Sequence, residues 1–119
     1  MSSVSIGDVY LVRVRYQDDP TNFKDRPVVV VAISSDSVMV VCAAITSVGP
    51  HTPEKYYGKF KFPIQQWAKA NLTKPSWVKT HPANLLRLQS QDLTRRIGTL
   101  HPDDLSALIN FMIESSEES

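Results

Sequence analysis

The chain has 119 residues, 42% hydrophobic and 21% charged, which suits one globular domain and excludes a chain disordered throughout. A single cysteine rules out an internal disulfide, and three histidines with one cysteine leave no Cys/His metal-binding pattern. The net charge of +1 conceals an asymmetry: residues 1–96 carry all 13 Lys and Arg against seven acids, net +6, while residues 97–119 carry five acids and no Lys or Arg, net −5.

Met1 to Asp8 lacks a basic region followed by an apolar stretch, so no secretory signal is read there. No apolar run approaches the roughly 18–20 residues of a membrane span. Together with the lone cysteine, this points to the cytoplasm. Val9 to Tyr16 alternates as a strand, with Val12, Val14 and Tyr16 on one face and Leu11, Arg13 and Arg15 on the other. Gln17 to Asp25 has the composition of a loop. Pro27 to Ile33 contains four consecutive valines and reads as a buried central strand, with Pro27 at its start. The polar turn Ser34–Ser37 then returns the chain as a hairpin partner, Val38 to Ile45. Cys42 lies within that apolar run and reads as a small buried hydrophobe rather than a reactive thiol.

Thr46 to Lys55 is a second loop, and Tyr56 to Phe62 a further strand. Pro63 to Asn71 reads as a short helix, with Pro63 in the first turn and Asn71 as a left-handed terminator. Ser76 to Thr80 is a short strand. Leu85 to Arg96 is ambiguous and reads as a short strand or turn, then a helix from Ser90 to Arg96. The last helix has Leu105, Leu108, Ile109, Met112 and Ile113 on one stripe, and Pro102, Asp103 and Asp104 suit its N-terminus. Residues 114–119 are expected to fray. These elements make a mainly β (α+β) fold, a small antiparallel barrel with a short helix and an amphipathic C-terminal helix, in one domain over 1–119. No phosphate loop, dinucleotide fingerprint, nucleophile elbow or internal repeat is present, so no cofactor is expected.

Several segments resemble one family in order and spacing. They are Gly7-Asp8-Val9-Tyr10-Leu11-Val12, Asp25-Arg26-Pro27-Val28-Val29-Val30 and Ala44-Ile45-Thr46-Ser47, then Trp67 through Asn71-Leu72 with Lys74-Pro75-Ser76-Trp77-Val78-Lys79, and finally Ile97-Gly98-Thr99-Leu100. Each is common alone, but the series resembles the MazF/PemK toxins of type II toxin–antitoxin systems over nearly the whole chain. The resemblance implies an SH3-like barrel that forms a homodimer. It also implies a metal-independent endoribonuclease that cuts single-stranded RNA through the RNA's own 2′-OH, leaving a 2′,3′-cyclic phosphate, and an antitoxin peptide or protein that blocks it.

Such chemistry needs charge stabilisation at the phosphorane and proton transfer at two oxygens, and no protein nucleophile. The resemblance assigns catalysis to Arg26, whose planar, permanently charged guanidinium suits phosphate oxygens. It also assigns Thr46, whose hydroxyl can donate to a phosphate oxygen; adjacent Ser47 is not separable from it by sequence. Alternation puts Trp77, Lys79 and His81 on one face, and His81 is the candidate there for acid–base work, a role histidine side chains commonly fill. The opposing readings are a solvated loop arginine, a threonine bonded to its own turn, and a histidine in a His-Pro turn. For RNA binding the candidates are Lys24, Ser47, Lys79, Arg13, Arg15, Lys59 and Lys61.

One departure from the family pattern stands out. The Gln17–Asp25 loop is acidic and lacks glycine, so Asp18, Asp19 and Asp25 are expected to oppose phosphate near Arg26. The alternative function is a non-catalytic module on the same fold that grips a protein target such as a DNA topoisomerase.

Overall fold

A computed structural model describes residues 4–15, 23–49 and 59–117. Its strands are β1 (Asp8–Arg15), β2 (Phe23–Ile33), β3 (Met39–Thr46), β4 (Lys61–Pro63), β5 (Trp77–Lys79), β6 (Leu85–Gln89) and β7 (Arg95–Thr99), followed by helix α1 (Pro102–Glu117). The strands pair antiparallel in the order β4-β5-β3-β2-β1-β7, and β6 pairs with β3. The fold is therefore mainly β with a C-terminal helix, as expected. Among the described residues no ladder joins β4 to β7, so the sheet is open rather than a closed barrel.

The valine run of β2 is explained by burial on both sides. Val29 joins Val9, Ala43, Ile45, Phe62 and Val78 in one core, and Val28 and Val30 join Tyr10, Val40 and Cys42 in the other. A strand covered on both faces needs no polar alternation. Helix α1 packs on the first core through fully buried Leu108, with Leu105, Phe111 and Met112 beside it. The expected stripe shifts at its end: Ile113 is 51% exposed, and Phe111 turns inward to meet Phe62 at 5.5 Å between ring centroids. The helix is described through Glu117.

Three expected elements change. Strand β2 begins at Phe23, so Phe23–Asp25 belongs to a strand paired with β1 and not to the loop; Gln17–Asn22 lies outside the described residues. The helix expected at Pro63–Asn71 shrinks to a 3-10 turn at Trp67–Ala70, because Pro63 ends β4 opposite Trp77 and the Ile64 N–H donates to the Ser76 carbonyl, so the chain is still tied to the neighbouring strand where the helix would begin. Asn71 does take the left-handed conformation (φ 63°). The helix expected at Ser90–Arg96 stops as a 3-10 turn at Asp92, since Leu93 is drawn into the second core and Arg95 and Arg96 pair with β1. The strand expected at Tyr56–Phe62 is described only from 59 onward, where its ladder covers Lys61–Pro63.

Two of the sequence segments singled out above touch one another. The Asn71 side-chain amide donates to the Ile97 carbonyl at 2.7 Å. A Cβ on Gly98 would sit 2.4 Å from the Ala70 carbonyl oxygen, so only glycine lets β7 approach the 67–70 turn. Asp8 is nearly buried; it accepts hydrogen bonds from Ser5 N–H (2.9 Å) and the Thr99 hydroxyl (3.2 Å) and faces Arg96 at 3.7 Å. No helix among the described residues is long and apolar enough to cross a membrane.

Candidate functional site

The β2–β3 ladder runs to the Val28–Ala44 pair and stops beside Pro27, which has no N–H to carry it further. Two residues beyond that pair stand Arg26 on β2 and Thr46 on β3. Side chains two apart on a strand share a face, so Arg26 and Thr46 lie on the same face as Val28 and Ala44. Thr46 is held from the other side by β5, where its register partner is Trp77. The two residues thus flank the end of the β2–β3 ladder, where the backbone groups of the two strands no longer tie to each other.

The face continues across β5 and β4. Trp77 pairs with Pro63 and Lys79 with Lys61, while the alternate residues Val78 and Phe62 go into the first core. Lys61 and Lys79 are direct cross-strand neighbours. Like charges in that position are unfavourable unless something compensates them. For Lys61 the compensation is visible: its Nζ donates to the carbonyl oxygens of Val48 (3.0 Å) and Gly49 (3.3 Å). Lys61, a candidate RNA contact by sequence, is occupied within the protein. Lys79 is half-buried on the same face.

Thr46 Oγ1 accepts the Val48 N–H at 3.1 Å. Its oxygen therefore bonds its own turn, as the plain reading of a strand-end threonine has it, which leaves the O–H able to donate. Ser47 beside it is exposed. His81 does not extend the face of Trp77 and Lys79. Strand β5 ends at Lys79, and His81 caps the 3-10 turn Pro82–Asn84, its Nδ1 accepting the Ala83 N–H at 3.0 Å. That bond assigns the neutral ring's proton to Nε2. The ring also meets Phe60 edge-on at 4.7 Å, and Lys59 Nζ lies 5.3 Å from the Phe60 centroid.

Asp25 falls on the opposite face of β2 from Arg26, because adjacent strand residues alternate. There it lies 3.6 Å from Arg13 and 3.5 Å from Arg95. Asp25 and Arg13 thus stand together on the face away from Arg26. Arg15 and Lys24 stand on β1 and β2, opposite Phe23 and Val14 respectively; their side chains, like Asp18, Asp19 and Tyr57, lie outside the described residues. Cys42 is fully buried, and desolvation pushes its thiol up to about 11, which keeps it protonated and unreactive. No group of three or more His, Cys, Asp or Glu that could hold a metal occurs among the described residues.

What sequence reading missed is the support beneath Thr46. By sequence Gly49 falls within the Thr46–Lys55 loop and Trp77 only on the face of Lys79. In the structure a Cβ at Gly49 would stand 2.9 Å from Trp77 Cζ2, so the glycine backbone rests on the indole. The available signal was the unfavourable Lys61–Lys79 pairing, which asks for a local acceptor, but it needs the β4–β5 register to be seen.

Comparison with known proteins supplies an independent line. Residues 5–114 match the family described as PemK-like, MazF-like toxin of type II toxin–antitoxin system. No curated protein is matched. Among solved structures, the chain is similar to the Mycobacterium tuberculosis toxin MazF-mt6, with 21% identity over 92% of this chain and 96% of that one, and a TM-score of 0.63. At that identity the likeness speaks for the fold.

Proposed function

The chain belongs to the PemK-like, MazF-like toxins of type II toxin–antitoxin systems, and on that premise we propose that it is a metal-independent endoribonuclease acting on single-stranded RNA. The observation that carries the reading is the shared face of Arg26 and Thr46 at the open end of the β2–β3 ladder, with Lys79 across the sheet and Asp25 turned away. In the proposed reaction the RNA 2′-oxygen attacks its own phosphorus. The O2′–P bond forms, the P–O5′ bond breaks, and the products are a 2′,3′-cyclic phosphate and a 5′-hydroxyl. The 2′-OH proton passes to solvent, and the departing O5′ takes a proton from solvent.

Arg26 stabilises the charge that grows on the non-bridging oxygens, and the Thr46 O–H donates to one of them. Lys79 holds a flanking phosphate. His81 is assigned a hydrogen-bonding role through Nε2–H rather than proton transfer, since giving up a proton would require first protonating the Nδ1 that accepts from Ala83. Ser47 and Lys59, both exposed, are proposed to face the RNA backbone.

A type II toxin has a cognate antitoxin as its partner. Our reading adds that the antitoxin covers the Arg26 face, and that the toxin acts as a homodimer in the cytoplasm. The experiment is cleavage of single-stranded RNA in excess chelator, with the new 3′ ends identified. Arg26→Ala and Thr46→Val are each expected to lower kcat by about 10²–10³ while remaining folded, the usual loss of one oxyanion donor. Wild-type levels of cleavage by both folded variants would overturn the assignment, as would no cleavage by the wild type.

A further inference from the structure

We infer that Lys61 is a positioning residue that latches the Ser47–Gly49 turn and thereby fixes the Thr46 hydroxyl, rather than a lysine that contacts RNA. The inference rests on the catalytic reading of Thr46 given above. The turn has little to hold it by burial: Ser47 is exposed and Val48 is 57% exposed. Its fixings among the described residues are polar and local. Lys61 Nζ grips the Val48 and Gly49 carbonyls, the Val48 N–H donates to Thr46 Oγ1, and Gly49 lies against the Trp77 ring. Trp77 is in turn the ladder partner of Thr46, so the contacts form a closed circuit around one hydroxyl.

The circuit assigns each atom a task. With its oxygen accepting from Val48, the Thr46 side chain is held in one rotamer and its proton is directed away from the turn. If the 48–49 carbonyls lose Lys61, the Val48 N–H is no longer fixed and the hydroxyl can rotate into the turn. Misplacing a reacting group by about 1 Å can cost on the order of 10²-fold, so an exposed turn can govern rate without touching RNA. The same circuit explains how Lys61 is tolerated opposite Lys79: its ammonium is satisfied by two carbonyl dipoles.

The test uses full-length Lys61→Met, which keeps the stem and removes the charge, and Gly49→Ala, which keeps the charge and drives a methyl into the Trp77 ring. Both are expected to lower kcat about tenfold with KM within about twofold, in keeping with a geometric fault. Lys61→Arg is expected to restore most of the rate. Lys69→Met, on the exposed 67–70 turn, is expected to leave rate and affinity unchanged. Amide exchange at Val48 is expected to rise at least tenfold in Lys61→Met, with the β3 amides Val40–Ala43 unchanged. The salt dependence of RNA binding is expected to match wild type.

An RNA-contacting lysine gives the reverse pattern: raised KM, a salt slope smaller by about 0.7, and unchanged kcat and Val48 exchange. That result overturns the inference, as does Gly49→Ala with full activity. If the wild type fails to cleave RNA, the ribonuclease reading falls, and Val48 exchange alone decides whether the latch exists.

Discussion

Asp104 separates a helix-end effect from a tertiary one. By sequence, Asp103 and Asp104 are equivalent acids in the first turn of α1, each favoured by the helix dipole by about 0.3–1 kcal/mol. In the structure they differ. Asp103 is exposed, whereas Asp104 is 3% exposed and accepts from Gln65 N–H at 3.1 Å and Gln66 N–H at 2.8 Å. Each hydrogen bond to a charged group is worth about 1.5–3 kcal/mol, so after the cost of burying the carboxylate the pair contributes about 3 kcal/mol. Asp104→Ala should therefore cost about 3 kcal/mol and Asp103→Ala about 0.5. With an unfolding entropy of about 0.25 kcal/mol/K for a chain of this length, those losses lower Tm by about 12 °C and 2 °C. Asp104→Asn, which keeps one acceptor and sets an NH2 against the other N–H, should fall between. Urea unfolding followed by tryptophan fluorescence measures all three, with Trp67 adjacent to the bonded turn. Equal losses for Asp103→Ala and Asp104→Ala would refute the reasoning and return both residues to the dipole.

Three further outcomes are expected. Gly98→Ala should destabilise by at least about 3 kcal/mol, because the methyl meets the Ala70 backbone carbonyl at 2.4 Å rather than a side chain that can move; a melting temperature within a few degrees of wild type counts against it. Asp25→Asn should leave kcat within about twofold and stability within about 0.5 kcal/mol, since its partners are exposed arginines on the face away from Arg26; a large gain in cleavage would show that the acid does oppose phosphate. Burial raises the Cys42 thiol from 9.0 to about 11, so the native state keeps a proton that the unfolded chain releases first. The resulting stabilisation is complete below pH 9 and is lost as pH rises toward 11, so wild type should lose stability across that interval relative to Cys42→Ala, and an unchanging difference between them would contradict it.

Strand existence was legible wherever burial imposes a pattern. The valines of β2, the alternation in β1 and the apolar stripe of α1 all state their environment directly. What escaped was set by partners distant in sequence. The 63–71 segment has the composition of a helix, yet its start is held in the sheet, Pro63 opposite Trp77 and the Ile64 N–H on the Ser76 carbonyl. Leu93 looks like one residue of a helical stripe, but its place in the second core forces the chain to extend into β7. The candidate site divides in the same way. Arg26 and Thr46 were found through a resemblance, and the β2–β3 register puts both two residues beyond the last pair of the ladder, on one face. The Lys61 latch depends on the β4–β5 register, which no local pattern encodes.

Charge shows how far register can change the meaning of a sequence. A net of +6 over residues 1–96 reads as a uniformly phosphate-seeking body with an awkward acid, Asp25, next to its key arginine. A one-residue step along β2 reverses that. Across a sheet, two unit charges about 9 Å apart interact by about 0.5 kcal/mol in water, and salt at physiological strength screens most of it. Beside Asp25, by contrast, Arg13 and Arg95 stand within 4 Å and offset its charge. Lys61 is likewise turned inward to carbonyls. The cations on the Arg26 face are therefore fewer than the total implies, and under the proposed function recognition of RNA there would rest on the placement of Arg26, Thr46 and Lys79 more than on bulk positive charge. A surface of that kind should discriminate by geometry, which is what a cut at a chosen phosphodiester requires.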